Sequence, residues 1–155
     1  ELEATHLAQE GVEVIHNMRA NNSANDATAA HSGWLTSVVN ITANCVAPIP
    51  CAFDVSDHAG PGVWKASSLF PVATLDSQRV YYNPATGLYK QRNAAGAPGG
   101  WIISPFHRSI LVEVISPNWQ IRVTSTVTFP GHNGTLRTIT VSDDLYNWFP
   151  CLSCP

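Results

Sequence analysis

The sequence has few charged residues, which make up 12% of its 155 positions, about half of the share near 25% in ordinary globular domains. The formal net charge is −3 at pH 7, and only eight residues are lysine or arginine. So little positive charge gives no means of holding a nucleic acid backbone strongly by counterion release. We therefore expect no strong nucleic-acid binding by this chain.

Long apolar runs are missing as well. No stretch of the sequence approaches the roughly 20 apolar residues of a membrane-spanning helix, and no signal peptide or lipid-anchor motif is present. A chain of 155 residues is expected to form one domain and to bury roughly two-thirds of its unfolded surface.

The first twenty residues carry a helical pattern. Apolar residues recur at three- and four-residue steps from Leu7 to Met18, with glutamates between them and Arg19 directly after them. The pattern predicts an amphipathic helix that reaches residue 1 without a capping residue and stops near Asn21, where "NNSAND" favours non-helical turns. Because the stripe reaches the first position, the expectation is that this helix is the second half of a longer one.

Five residues are expected to form the packing face of this helix and to take part in assembly. The sequence does not predict which of them contact the domain and which contact a neighbouring subunit. They are Leu7, Gly11, Val14, Ile15 and Met18. Glycine in a helix costs about 1 kcal/mol relative to alanine. Gly11 is therefore either a site of close packing or a tolerated glycine.

The four cysteines form two closely spaced pairs, Cys45 with Cys51 and Cys151 with Cys154. Disulfides are the favoured interpretation, with local pairing the first choice among three connectivities. A zinc site and free thiols are the alternatives, although the first interval is longer than usual zinc-ligand spacing. A redox motif is expected at the start of a helix, whereas the final CxxC follows "WFP" near the end of the sequence.

The middle of the chain gives weaker signals. We expect a short helix or turn near residues 33–39 and a strand near 52–55. Two short strands are predicted on either side of "NPATG", because tyrosines favour strands and Pro84 and Gly87 suit a tight turn.

The last third alternates between apolar and polar residues. One strand is predicted over 106–115, a second over 119–129 and a third over 135–149, separated by the turns "SPN" and "PGHNG". The helix and this meander together predict an α+β fold, in which a long N-terminal amphipathic helix packs on one face of a C-terminal antiparallel sheet.

No motif for catalysis, metal or cofactor binding is found. Serines lack a nucleophile-elbow context, and "DVSDH" (residues 54–58) lacks the glycine and glutamate of a calcium loop. We expect no enzyme activity, no metal and no cofactor. The six histidines lack metal-ligand spacing; they are His6, His16, His31, His58, His107 and His132.

Several stretches resemble a known family. "HLAQEGVEVIHNMRANN" is similar to the region just beyond the membrane helix in bacterial prepilin-type proteins, and Trp34 follows it as a tryptophan does there. "CAFDV", "SPFHRSILVEV", "IRVTSTVTF" and "LYNW" follow in the order of that family. The resemblance covers nearly the whole chain, except loops such as "DHAGPGVW" and the terminal "PCLSCP".

The resemblance implies the soluble part of a type IV pilin or pilin-like subunit. Residues 1–22 would be the C-terminal half of the long pilin helix, 23–104 a loop region with the cysteine loop and short strands, and 105–155 the sheet and tail. The absent upstream half-helix would hold the precursor in the inner membrane and later pack in the filament centre.

The function implied is that of a structural subunit of an extracellular type IV pilus, serving adhesion, twitching motility or DNA uptake. Its partners would be other pilin subunits, in a homo- or hetero-polymer, and a host or cell-surface receptor. A minor pilin or type II secretion pseudopilin at a filament tip is the alternative, and a secreted binding module is a third.

Overall fold

The computed structural model describes residues 1–26, 33–36, 40–54, 58–60, 63–65, 68–92 and 96–147. In these residues, two α-helices precede a series of short and then long strands. The helices are α1 (Leu2–Asn25) and α2 (Ile41–Cys45), and the strands are β1 (Cys51–Phe53), β2 (His58–Gly60), β3 (Val63–Trp64), β4 (Leu69–Pro71), β5 (Arg79–Asn83), β6 (Leu88–Lys90), β7 (Ile102–Ser116), β8 (Gln120–Pro130) and β9 (Leu136–Tyr146).

Helix α1 has the predicted amphipathic character but is longer than predicted. It continues to Asn25, three residues past the boundary expected at residue 22. The side-chain amide of Asn25 donates hydrogen bonds to the carbonyl and side-chain oxygens of Asn21. Asn22 and Ser23 are buried, so tertiary burial outweighs the low helix propensity of "NNSAN". The expected stop near Asn21 was wrong for this reason.

Seven strands form one antiparallel sheet built around β7. β7, β8 and β9 form the meander that the sequence predicts. Along the other edge of β7 lie two short pairs, β5 with β6 toward its start and β1 with β4 further along. The α+β class is confirmed.

One face of the meander is apolar and lies under α1. On β8 the inward residues are Ile121, Val123, Ser125, Val127 and Phe129, all buried, as the alternation predicts. On β7 the alternating buried residues run from Ser104 to Val112, whereas Val114 lies beyond the core and is exposed. The helix therefore lies across β7, β8 and β9.

The opposite face of the meander is polar. Rows of hydroxyls cross from β8 to β9, with Thr124 Oγ1 3.0 Å from Ser142 Oγ. Beside them Arg122 Nε donates to Asp144 Oδ1 over 2.9 Å, a hydrogen bond that holds the pKa of Asp144 below its ordinary value. An antiparallel sheet with one covered and one solvated face has this division.

The middle region is more structured than the sequence predicts. The hairpin around "NPATG" is confirmed as β5 and β6, with Gly87 at a φ of 72° in its turn. The strand expected near residues 52–55 is β1. Of the helix or turn expected near residues 33–39, a turn is present at 33–36, and 37–39 lie outside the described residues. Helix α2 and strands β2, β3 and β4 were not predicted. α2 begins where the Asn40 side chain accepts a hydrogen bond from the Ala43 amide, an N-cap interaction.

Candidate functional site at the helix–sheet interface

The five helix residues singled out in the sequence all face the sheet of their own chain. Leu7 packs with Val80, Phe106 and Val127 near the start of the helix. Further along, Val14, Ile15 and Met18 join the cluster that includes Ile110, Val112, Ile121 and Val123, and Gly11 is buried between the two groups. None of the five is accessible to a neighbouring molecule. An assembly contact on α1 would have to use its outer residues, including His6, Gln9, Glu13, Asn17 and Ala20.

Gly11 marks the closest approach of the helix to the sheet. A Cβ placed on Gly11 would lie 2.3 Å from Ser125 Oγ and 3.0 Å from Ser125 Cβ. Distances under 3.0 Å are shorter than van der Waals contact allows, so a side chain at this position would force Ser125 or the helix to shift. Of the two explanations of Gly11, the structure favours close packing.

Arg108 is the principal residue of this interface that sequence reasoning overlooked. Its guanidinium is fully buried between α1 and the sheet. Nη1 donates to Glu10 Oε2 over 2.6 Å and to the Leu7 carbonyl oxygen over 3.1 Å. The alternation on β7 already places Arg108 on the inward row, between Phe106 and Ile110. A charge at an inward position was the available signal, because buried charges require partners.

Gln91 connects this arginine to the β5–β6 hairpin region. Its side-chain oxygen accepts a hydrogen bond from Arg108 Nε over 2.9 Å. Its Nε2 donates to the carbonyl oxygens of Gln78 and Arg108, each over 2.8 Å. Helix α1, strand β7 and the segment after β6 are thereby joined through two buried side chains.

The electrostatics of Arg108 are dominated by its burial. Loss of water lowers the pKa of Arg108, and the Glu10 carboxylate acts in the opposite direction. The guanidinium carbon also lies 4.1 Å from the centre of the Phe53 ring, a favourable cation–π distance. Nη2 is buried without a hydrogen-bond partner among the described residues. The site holds a charge at considerable desolvation cost, which makes it sensitive to the loss of Glu10.

The cysteines divide into a described pair and a pair outside the described residues. Cys45 and Cys51 form a disulfide with a sequence separation of six, and both are fully buried. The bond joins the end of α2 to the start of β1. The predicted partners Cys151 and Cys154 lie outside the described residues.

The acidic residues and histidines of the described part of the chain were also compared with the requirements of a metal site. In the described part of the chain no group of three or more histidine, cysteine or acidic residues could hold a metal ion. His16 Nε2 lies 3.0 Å from Asp143 Oδ2, which ties α1 to β9. Of "DVSDH", residues 55–57 and the His58 side chain lie outside what the structure describes.

Over the described residues, no helix combines the length and the apolar character that crossing a bilayer requires. Comparisons with known protein families, with curated proteins and with solved structures found no match for this chain.

Proposed function

We propose that this chain is the globular domain of a type IV pilin-like subunit, a structural component of an extracellular filament. The proposal starts from the resemblance of "HLAQEGVEVIHNMRANN" and the strand motifs to prepilin-type proteins. The order of an N-terminal helix followed by an antiparallel meander is compatible with it.

The observation that carries the proposal is the firm attachment of α1 to the sheet. A filament subunit joined to its neighbours through a helix must transmit load from that helix to its globular part. In this chain ten residues of α1 are buried, and Arg108 bonds to both a side chain and the backbone of the helix. Because Gly11 also brings the helix unusually close to β8, helix and sheet would move as one body.

Assembly would use surfaces that α1 leaves free. A subunit that contacts its neighbour through two different surfaces builds an open helical polymer instead of a closed ring. Ile102, Ile103, Trp119 and Leu136 are each more than half exposed and are candidates for such contacts. The partners would be further copies or related pilins, with a surface receptor at the exposed end. An apolar segment upstream of Glu1 would anchor the subunit in the membrane before assembly.

Immunogold electron microscopy tests this proposal on the source cells. An antibody raised against this domain should label filaments, and cells lacking the gene should show no label. Label along the shaft indicates a major subunit, whereas label only at the ends indicates the minor-pilin alternative. Label that never coincides with filaments would refute both and leave a secreted binding module.

The natural coding sequence upstream of Glu1 gives an independent check. The proposal requires a short charged leader, a processing site and about 20 apolar residues there. An export signal joined directly to Glu1, without an apolar segment between, would contradict it.

A further inference from the structure

A cleft of about 300 Å³ lies between the start of α1 and strand β6. Four helix residues at positions i, i+3, i+4 and i+7 form one wall, and two strand residues form the other. The lining residues are Glu3, His6, Leu7, Glu10, Leu88 and Tyr89. A volume near 300 Å³ is at the small end of ligand sites, which suits a group the size of one amino-acid side chain.

The charge of this cleft is negative. Glu10 is balanced by the buried Arg108, and no comparable cation faces Glu3 among the described residues of the lining. Glu3 and Tyr89 both line the cleft. Burial, the Glu3 carboxylate and a hydrogen bond from the Tyr89 hydroxyl to that carboxylate raise the pKa of Tyr89. A carboxylate can accept several hydrogen bonds, so the Glu3 carboxylate, which lines the cleft, can accept another from a ligand.

The remaining walls are aromatic and apolar. The ring of Tyr89 lies 4.9 Å from the ring of Tyr82 and 6.0 Å from that of Phe106, measured between centroids. These contacts hold the Tyr89 ring in place before any ligand arrives. Leu7 is buried at the base of the cleft, while Leu88 is 60% exposed at its rim. An apolar stem could therefore lie beside a positioned aromatic ring.

We propose that this cleft binds an organic cation, that is, an ammonium or guanidinium group carried on a short apolar stem. The positive group would lie beside the Glu3 carboxylate and against the Tyr89 ring, and the stem would contact Leu7 and Leu88. Aromatic rings attract such cations through their negative faces. Nearby on β6, Lys90 Nζ lies 4.5 Å from the Trp101 ring centre, so the chain already contains this type of contact. The proposal does not depend on the filament role.

The first experiment compares n-butylammonium with n-butanol, its neutral counterpart. Titration of the ¹⁵N-labelled protein, followed by NMR, should show butylammonium shifting the amides around Glu3 and Tyr89, with a dissociation constant on the order of 10 mM. Butanol should produce no saturable shift. Equal binding of both, or no saturation by butylammonium at about 100 mM, would overturn the proposal.

Two variants and one control assign the contacts. Glu3→Gln should weaken butylammonium binding by about fivefold, as expected for loss of one partly exposed charge contact. Tyr89→Leu should weaken it similarly by removing the ring. Glu13→Gln removes an exposed carboxylate on the same helix outside the cleft and should leave the affinity unchanged. If Glu3→Gln binds as well as the original protein, or Glu13→Gln weakens binding equally, the site is not the one proposed.

A second probe tests whether the cation comes from a free amine or from a lysine side chain of a partner protein. Nα-acetyl-lysine methylamide presents the same ammonium as a protein lysine does. If it binds as butylammonium does, the cleft accepts a side chain of a partner protein. If only butylammonium binds, the ligand is a free amine. Both results support a cation site, and failure of both probes refutes it.

Discussion

Replacing Gly11 with alanine tests whether the close approach of helix and sheet has energetic consequences. The added Cβ would lie 2.3 Å from Ser125 Oγ and 3.0 Å from Ser125 Cβ. The hydroxyl oxygen is buried and the Cβ is held by the backbone of β8, so both atoms oppose the added methyl group. The substitution therefore requires a shift of the helix or the strand.

Two opposing effects determine the result. Alanine is the better helix former by about 1 kcal/mol, whereas overpacking a close-packed interior costs about 1–3 kcal/mol. With a rigid Cβ at 3.0 Å, we take a cost of about 2 kcal/mol within that range. Gly11→Ala should then lower the free energy of unfolding by about 1 kcal/mol, which corresponds to roughly 2–4 °C in Tm for a domain of this size.

A double-mutant cycle with Ser125→Ala isolates the contact. The Ser125 hydroxyl is buried without a hydrogen-bond partner among the described residues, so Ser125→Ala alone should be neutral or stabilising by about 1 kcal/mol. It also removes the atom nearest the new methyl group. The double variant should be about 1 kcal/mol more stable than the sum of the two single-substitution effects predicts.

Urea unfolding followed by circular dichroism measures all four proteins, and Ala20→Gly supplies the helix-propensity control at an exposed position of α1. That control should lose about 1 kcal/mol. If Gly11→Ala instead raises the free energy of unfolding by the same amount, and shows no coupling to Ser125→Ala, then the close approach of helix and strand has no energetic cost. The explanation of this glycine would then be wrong.

Three further predictions concern the charges and the disulfide. Glu10→Gln should lower the free energy of unfolding by about 1–3 kcal/mol, because it leaves Arg108 buried without its counter-charge; partial exposure of Glu10 keeps the loss below the full 3–5 kcal/mol. Urea unfolding measures this loss. Burial, followed by a nearby arginine, lowers the pKa of His107, so the folded state favours the neutral imidazole. As the pH falls through about 6.5, the unfolded chain therefore binds more protons than the folded chain, and the free energy of unfolding decreases. This decrease should be smaller in His107→Gln than in the original protein. Thermal unfolding from pH 7.5 to 5.5 measures that difference. Replacing Cys45 and Cys51 together by alanine should cost about 2 kcal/mol from the lost loop closure, measured by urea unfolding without reductant.

Each of these predictions has a matched control. Glu13→Gln changes an exposed glutamate of the same helix and should stay within about 0.5 kcal/mol of the original protein; a loss equal to that of Glu10→Gln would remove the special role of the buried ion pair. If the stability of His107→Gln decreases with falling pH as steeply as that of the original protein, the expected contribution of His107 is contradicted. For the disulfide, a reductant should destabilise the original protein more than the alanine variant, and equal effects on both would argue against the prediction.

The regular parts of the fold were predictable because their patterns are local. Alternation along β8 identified its buried row from Ile121 to Phe129 correctly. The three- and four-residue steps of α1 identified the residues that face the sheet, including Leu7 and Met18. Each pattern follows from the geometry of one element, a period of two in strands and 3.6 in helices.

The short elements escaped prediction because their sequences lack a period. Helix α2 has five residues and β4 has three, too few for alternation to be recognised. They form because other segments cover them: Ile41 and Leu69 are buried in the same cluster as Trp34. The added turn at the end of α1 has a similar origin, since Asn22 is buried by the fold and not favoured by its own helix propensity.

The amino-acid sequence by itself determined the α+β class, the meander and the faces of its helix and long strands, because side-chain periodicity is set within each element. Only the tertiary structure decided how the residues of those faces meet. Arg108 bonds to Glu10 across 98 residues of sequence, and Gly11 meets Ser125 at a distance that no local pattern encodes. Such pairings depend on how a helix is placed against a sheet, and that placement results from packing the whole core.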